Sequence, residues 1–309
     1  MKYGKPALTI DQQVDQLIRR GMTVRDRDRA QHHLHHINYY RLRAYWLPDE
    51  VPAPSQGEHA FRPGTDFDDI LTLYAFDRKL RLLVMDAIER VEVSLRTRWA
   101  HVLSLRYGAH GYLDATCFRK ASLYVKCLEK LRDEYQRSNE TFVLHYRKAY
   151  NEPDLPPFWG ICELLSFGQL SLWFQNLADG ADRVEIARPY GVDEQILKSF
   201  AHHLTYVRNV CAHHSRLWNR EMTIGMKIPN KPEWLGAAFN AAQPKRLYNT
   251  LVMLAYLLRV ISPGSAWRSR LYQLLAEHPN VDVTDMGFPE SWHAEPLWMA
   301  PVESEEAGA

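Results

Sequence analysis

The sequence predicts an all-α, mainly helical protein. Apolar residues recur with a period near 3.6 along most of the 309 residues, and the continuous alternation that is typical of strands is hard to find. A hydrophobic content of 46% allows a substantial core in one large domain or in two. We therefore expect helices throughout, with Met222–Ile224 as a short extended exception.

Two helices are predicted in the first 37 residues. The first spans residues 9–21, because the Thr9 hydroxyl suits an N-cap and Gly21 suits the position after a helix. The apolar residues on its one face are Ile10, Val14, Leu17 and Ile18. The second helix spans residues 26–37.

A linker loop rich in proline and glycine, residues 49–64, separates a basic and aromatic N-terminal segment (residues 1–48) from the body. Apolar periodicity then persists from Thr65 to Gly108, and Asp66 and Asp68 favour a helix start. An unbroken helix of this kind would be about 60 Å long, so we expect a bend or break near Phe76.

The rest of the body is also predicted to be helical. The further helices are expected over residues 120–150, Pro157–Leu177, Asp193–Asn219, Lys245–Val260 and Ala266–Ala276. The body thus divides into a helical domain, residues 65–220, and a C-terminal helical extension, residues 221–300. Residues 301–309 have the composition of a disordered tail.

Composition narrows the class of protein. The formal net charge of +1 indicates no nucleic-acid partner by itself, and the 27 arginines against 11 lysines favour phosphate binding only weakly. The four cysteines lack a C-x2-C pairing, and residues 1–6 lack the apolar core of a signal peptide. No run of 18 apolar residues is present. We therefore expect a cytoplasmic protein with free thiols and no membrane span.

The segment with the most candidate catalytic side chains is Arg208-Asn209-Val210-Cys211-Ala212-His213-His214. Arginine stays charged and binds phosphate with a fork of donors, while histidine exchanges protons near neutral pH. On a regular helix Asn209 and His213 share a face, whereas Arg208 and His213 lie roughly 140° apart. The alternative interpretation is a helix with a surface arginine and half-buried histidines, since an R-x4-H pattern alone occurs often by chance.

The arrangement Arg208-Asn209-x3-His213 resembles the R-[polar]-x3-H motif of HEPN-domain ribonucleases, in the version found in bacterial abortive-infection proteins of the AbiD and AbiF type. Further segments resemble that family in the same order along the chain. They are Ile37–Trp46, Asp77–Arg81, Ile88–Arg96 and Trp159-x3-Glu163-x2-Ser166-x-Gly168. The likeness covers roughly residues 5–220.

The resemblance implies a HEPN-like helical bundle with an N-terminal helical extension, and a metal-independent endoribonuclease of phage defence that leaves DNA untouched. Because RNA supplies its own nucleophile, the 2′-hydroxyl, His213 would transfer protons and Arg208 would clamp the phosphate. Asn209 would orient His213 or hold a phosphate oxygen, and His214 would be a second imidazole or a structural neighbour. HEPN proteins commonly pair two copies, which implies a homodimer with a composite cleft. The reaction implies no cofactor.

Two further sets of residues are candidates for supporting roles. A polar residue of an earlier helix can orient the motif, for which the candidates are Glu89, Glu92, Arg96 and Glu163; the alternative is a surface salt bridge. Stacking on unpaired RNA bases and packing in the core are the alternatives for Tyr39, Tyr40, Arg41, Arg43, Tyr45 and Trp46. The histidines at positions 32, 33, 35 and 36 lack complementary ligands, so no metal site is expected; a solvated polar face and contact with phosphate are the alternatives for them.

Three hypotheses about function follow. The first is the endoribonuclease, acting in phage defence or as a toxin. The second is a non-catalytic RNA-binding module that holds a guide or antitoxin RNA, and the third is a helical protein-interaction factor of a defence system. The His213→Ala substitution separates the first two, because a nuclease would lose cleavage and keep its affinity for RNA.

Overall fold

The computed structural model describes residues 4, 6–52 and 59–299. Within them the chain forms thirteen α-helices and one antiparallel hairpin, which confirms the mainly helical prediction. The helices are α1 (Ile10–Arg19), α2 (Arg27–His36), α3 (Tyr39–Trp46), α4 (Phe67–Tyr107), α5 (Ala121–Arg137), α6 (Thr141–Ala149), α7 (Phe158–Leu164), α8 (Phe167–Asn176), α9 (Gly180–Ala187), α10 (Glu194–Ala212), α11 (Glu233–Ala237), α12 (Leu247–Ile261) and α13 (Trp267–Ala276). The strands are β1 (Glu50–Pro52) and β2 (His59–Phe61). Residues 53–58 of the predicted linker and the tail at 301–309 lie outside the described residues.

The first of two compact units holds the residues up to Arg81 together with Leu274–Val281. Thr9 caps α1 as predicted: its hydroxyl accepts a hydrogen bond from the Gln12 backbone, and the Gln12 side chain accepts one from the Thr9 backbone. In the core, the Tyr45 hydroxyl donates to Asp77 at 2.6 Å, and Asp77 also pairs with Arg81. The apolar core around this network includes Val14, Leu17, Leu42, Trp46 and Phe76.

The second unit holds Leu82–Gln273 and the residues from Asp282 onward. Its most buried helix is α12, in which every residue from Leu247 to Leu258 is buried, as expected of a helix that is covered on all sides. Helices α8 and α10 pack against each other in the same unit. The units divide between residues 81 and 82, within α4, and the division at residues 49–64 stays a prediction from the sequence.

Of the predicted bend or break near Phe76, the break is wrong, because α4 is a single helix of 41 residues; the bend stays a prediction. None of those residues is proline or glycine, which are the usual causes of a sharp kink. Phe76 is fully buried within the helix, so its aromatic ring marks a core contact and not an interruption.

Two predicted helices are each divided in two. The helix expected over 120–150 is interrupted after α5, where the Ser138 hydroxyl accepts a hydrogen bond from the Glu140 backbone and offers a local alternative to the helix. The helix expected over Pro157–Leu177 is interrupted at Leu165, because Ser166 forms a capping box with Gln169 that starts α8. This second interruption leaves the Leu165 carbonyl open to a side-chain donor.

The helix expected to reach Asn219 ends at Ala212, because the backbone of His214 turns into the left-handed region with φ 56°. Met222–Ile224 form no strand; the Met222 backbone donates a hydrogen bond to Lys245, and Thr223 and Ile224 lie in a bend. All four cysteines are free. Across the described ranges, the helices are too short or too polar to cross a lipid bilayer.

Candidate active site

Helix α10 carries most of the motif and is fixed in the second unit by its apolar side. Asp193 caps it by accepting a hydrogen bond from the Gln195 backbone at 2.7 Å. The buried residues of the helix include Leu197, Phe200, Leu204, Val207 and Val210. Burial of this side leaves Asn209 exposed and Arg208 half-buried at the flank of the helix.

The C-terminal end of α10 is a Schellman motif that contains both motif histidines. The His214 backbone donates to Cys211 at 3.0 Å and the Ser215 backbone donates to Val210 at 2.9 Å. His213 is therefore the C-cap, and His214 occupies the left-handed position that glycine usually fills. Both imidazoles are exposed. A histidine at this position is strained, and such strain is most often retained at functional sites.

Arg208 projects into a cleft of about 520 Å³ against α4. The cleft is lined by Leu82, Met85, Asp86, Ile88, Glu89, Glu92, Val93, Arg96 and Arg208. The Arg208 side chain makes no hydrogen bond and no ion pair within 4.0 Å to any described residue, although its charge acts on Glu92. An arginine without a fixed partner beside an open cleft is free to bind an anion such as phosphate.

Glu92 and Arg96 form the polar centre of this cleft. Their side chains are only 14% and 17% exposed and are bonded to each other at the i, i+4 spacing. Burial raises the pKa of the Glu92 carboxyl above its ordinary value, and the neighbouring Arg96 and Arg208 guanidinium groups oppose the rise. Glu92 is therefore bonded to Arg96 and attracts the charge of Arg208.

Arg96 also connects α4 to the interruption between α7 and α8. Its guanidinium donates to the open Leu165 carbonyl at 2.7 Å, and it lies 3.7 Å from the Glu163 carboxylate. Glu163 is mostly exposed, and so is Glu89. Of the four predicted supporting residues, Glu92 and Arg96 thus hold fixed positions next to Arg208.

The histidines do not line this cleft. His213 follows Arg208 by five residues, so the two side chains leave the helix axis roughly 140° apart. Arg208 faces α4, whereas Asn209 and His213 lie on the exposed side of α10. The structure therefore brings Arg208 together with Glu89, Glu92 and Arg96, and it places His213 elsewhere on the same protomer.

The aromatic and basic residues of α3 belong to the first unit and differ widely in exposure. Tyr45 and Trp46 are 1% and 0% exposed and pack in the core, so for these two the packing alternative holds. Arg43 forms a two-pronged ion pair with Glu50, at 3.1 and 2.9 Å. Tyr39 is half-buried beside Trp46, while Tyr40, at 66%, and Arg41 are exposed. Tyr40 and Arg41 are therefore the most solvent-exposed of the six side chains.

Tyr206 is a polar residue near the motif that sequence reasoning missed. Burial pushes its pKa upward, but hydrogen bonds with Thr223 and Arg220 prevail and leave the pKa below its ordinary value. The Arg220 guanidinium lies 3.4 Å from the Tyr206 hydroxyl. The sequence itself indicates a basic environment around Tyr206, because residues 195–220 contain no acidic residue. They do contain Lys198, Arg208, Arg216 and Arg220.

Comparison with known proteins places most of this region within one family. Residues 32–219, more than half of the chain, match the family model described as Abi-like protein. The match runs from within α2 through α10 and includes the cleft and the motif. No curated protein and no solved structure matches the chain at a significant level.

Proposed function

Because the chain belongs to the Abi-like protein family, which points to abortive-infection defence against phage, we propose that it is a metal-independent endoribonuclease of that defence. The observation that carries the proposal is Arg208, a cation without an ion pair among the described residues, held at an open cleft on the helix that ends in two exposed imidazoles. Phosphate binding and proton transfer are the two capacities that RNA cleavage requires.

The proposed reaction is an attack of the RNA on its own phosphodiester. His213 removes the proton of the 2′-hydroxyl, and the 2′-oxygen bonds to phosphorus while the bond to the 5′-oxygen breaks. An acid returns a proton to the leaving 5′-oxygen, which gives a 2′,3′-cyclic phosphate and a 5′-hydroxyl. Arg208 neutralises the charge that develops on the phosphate, and proton transfer contributes on the order of 10² to 10⁴ in rate. Asn209 orients His213 or binds a phosphate oxygen.

The divergence of Arg208 and His213 around α10 supports a homodimer. If the C-terminal end of one α10 meets the α4 cleft of a second copy, His213 of one chain lies beside Arg208 of the other, and the rest of the exposed side of α10 stays open. The α4 surface carries exposed apolar residues at that cleft, since Leu82 is 63% and Val93 is 52% exposed. Exposed apolar side chains beside a functional cleft are typical of an interface.

The same divergence favours a second candidate function, a non-catalytic RNA-binding module. In a single chain Arg208 and His213 can each contact a different phosphate without meeting at one phosphodiester. Such a protein would hold a small regulatory RNA and leave it intact.

Cleavage of a labelled structured RNA in EDTA tests the proposal. We expect wild-type protein to produce fragments with cyclic phosphate ends, and the Arg208→Ala and His213→Ala variants to lose at least about 99% of the rate. Arg137→Ala and His145→Ala are matched controls, because both residues are exposed on other helices of the same unit. Equal cleavage by all variants would refute the assignment, and binding without cleavage by the wild type would favour the RNA-binding module.

A further inference from the structure

A second group of cations surrounds the first turns of α10, at the opposite end of the helix from the motif. Lys198 is half-buried there, and the charges of Arg119, Arg183 and Lys227 act on its ammonium group. Arg183 pairs at 3.2 Å with Glu194, which lies one turn before Lys198 on α10. Burial lowers the pKa of Lys198 and these three cations lower it further, while Glu194 alone opposes the shift. The four cations come from separate segments of the second unit.

Hydrogen bonds fix the position of each segment. The Lys227 backbone donates to the Ser199 hydroxyl at 2.9 Å, which places the loop after residue 225 against α10. The Arg119 backbone donates to the Asn176 carbonyl at 2.8 Å. The side chain of Arg183, on α9, donates to the carbonyl of Leu177, the residue after Asn176. The backbones at Arg119 and Lys227 and the side chain of Arg183 are therefore fixed within the folded unit.

The charges of this cluster are not balanced. Arg183 pairs with Glu194 at 3.2 Å, and the charge of Glu194 also acts on Lys198. Arg119, Lys198 and Lys227 have no ion pair within 4.0 Å in the part of the chain that the structure describes. By contrast, Arg132 and Arg106 of the same unit are paired with carboxylates. Three like charges held together repel one another, and a bound anion relieves that repulsion.

The exposed side of α10 connects this cluster to the motif. Lys198, His202, Asn209 and His213 lie within about 60° of arc on the helix, and Lys198 and His213 are separated by about 22 Å along its axis. His202, Asn209 and His213 are exposed. No acidic residue occurs from 195 to 220, so no carboxylate of this stretch repels a polyanion along the face.

We propose that Arg119, Lys198 and Lys227 form a binding site for the phosphate backbone of single-stranded RNA. The bound RNA runs from this site along the exposed face of α10 to His213. This inference rests on the proposed function for the identity of the polymer. A flexible single strand follows separated cations and exposed polar side chains through its phosphates, without reading the bases. The site supplies affinity and position to the RNA, and it contacts no reacting atom.

The test is binding of a 2′-O-methylated oligonucleotide of about 12 nucleotides to the full chain, because this RNA has no free 2′-hydroxyl and cannot be cut. The test variant is Lys198→Gln with Lys227→Gln, and the matched control is Lys126→Gln with Lys130→Gln, which removes the same charge from exposed positions of α5. We expect the test variant to lose on the order of tenfold in affinity at 0.1 M salt, and its salt slope to fall by about 0.7 per lost phosphate contact. The control should bind as the wild type does.

Length and competition experiments separate this site from other anion sites. A dinucleotide cannot span about 22 Å, so we expect its binding near His213 to be unchanged by the Lys198 and Lys227 substitutions. Equal loss for the test and control variants, or no binding of the long oligonucleotide by the wild type, would overturn the proposal. Inorganic phosphate that competes at low concentration, together with unchanged binding of the oligonucleotide by the variant, would assign a small-anion site instead.

The outcome is independent of the nuclease assignment. If the wild type binds RNA through Lys198 and Lys227 but never cuts it, the binding site stands and the catalytic proposal fails. If the wild type cuts RNA and the two substitutions change neither binding nor the salt slope, the catalytic proposal stands and the site fails.

Discussion

His214 is the residue at which backbone conformation and proposed chemistry conflict. Its φ of 56° lies in the left-handed region, which costs a residue with a Cβ roughly 1–2 kcal/mol. Glycine would remove that cost and would keep the Schellman hydrogen bonds, because these use only the backbone. A histidine in place of the favoured glycine is explained if its imidazole serves the reaction.

We therefore expect the free energy of unfolding of His214→Gly to exceed that of His214→Ala by about 1 kcal/mol, and both substitutions to lower the rate of RNA cleavage. Urea denaturation and the cleavage assay measure the two effects on the same preparations. His214→Ala is the matched control, since alanine keeps the strain and loses the imidazole. A glycine variant that is less stable than the alanine variant would contradict the argument from strain.

Glu92 is a mostly buried carboxylate that attracts Arg208 without forming an ion pair with it. The Glu92 carboxyl bonds to Arg96 and only attracts Arg208, so the Arg208 side chain keeps its donors available. An incoming phosphate then gains a fork of donors without having to break an existing ion pair. The separation of roles between the two arginines is a consequence of the i, i+4 spacing on α4.

At the level of elements, the sequence predicted helix starts better than helix ends. Thr9 and Asp193 are recognisable N-caps, and both helices begin next to them. The end of α10 was missed because a left-handed histidine carries no such signal, and a glycine would have marked the position. The Ser166-x-x-Gln169 capping box was a readable sign of the break before α8.

The candidate site could be predicted in part. The motif on α10 was found from residue types, but the direction of Arg208 toward α4 depends on packing between segments far apart in sequence. The burial of Tyr45 and Trp46 depends on tertiary contacts in the same way, and aromatic density alone does not distinguish a core from a stacking surface. The cation cluster at Lys198 joins four segments, which no local pattern in the sequence reveals.

His203 links three elements of the second unit through one neutral imidazole. Its Nδ1–H donates to the Ile224 carbonyl at 2.5 Å, and its Nε2 accepts from the Thr250 hydroxyl at 2.8 Å. Burial lowers its pKa to about 4, from 6.5. Because the unfolded chain takes up the proton first, stability that is present above pH 6.5 is lost as the pH falls toward 4.

We expect this single group to remove roughly 3 kcal/mol of stability between pH 6.5 and pH 4. The His203→Asn variant does not titrate there, so its unfolding free energy should be lower at neutral pH but should change less over that range. Denaturant unfolding at closely spaced pH values measures the difference in slope, with exposed His145→Asn as the control. Parallel pH profiles for wild type and His203→Asn would show that the imidazole is not the acid-sensitive group.

At the scale of the whole molecule, each active site of the proposed dimer combines Arg208 of one chain with His213 of the other. Arg208 faces the cleft on α4, and His213 lies on the exposed side of α10, so a composite site takes one residue from each protomer. The Arg208→Ala and His213→Ala variants are each expected to be inactive alone. In a mixed dimer one of the two sites regains both groups, and the other site loses both.

Mixing the two inactive variants in equal amounts should therefore restore about one quarter of the wild-type cleavage rate, since half of the dimers are mixed and each of these has one intact site. Adding Leu82→Asp to both variants should abolish the recovery and shift the protein to monomers in sedimentation experiments, because it places a charge on the exposed apolar surface of the cleft. Val125→Asp, at a 50% exposed position of α5, is the matched control and should change neither result. If the mixture stays inactive while the wild type is an active dimer, Arg208 and His213 act within one chain.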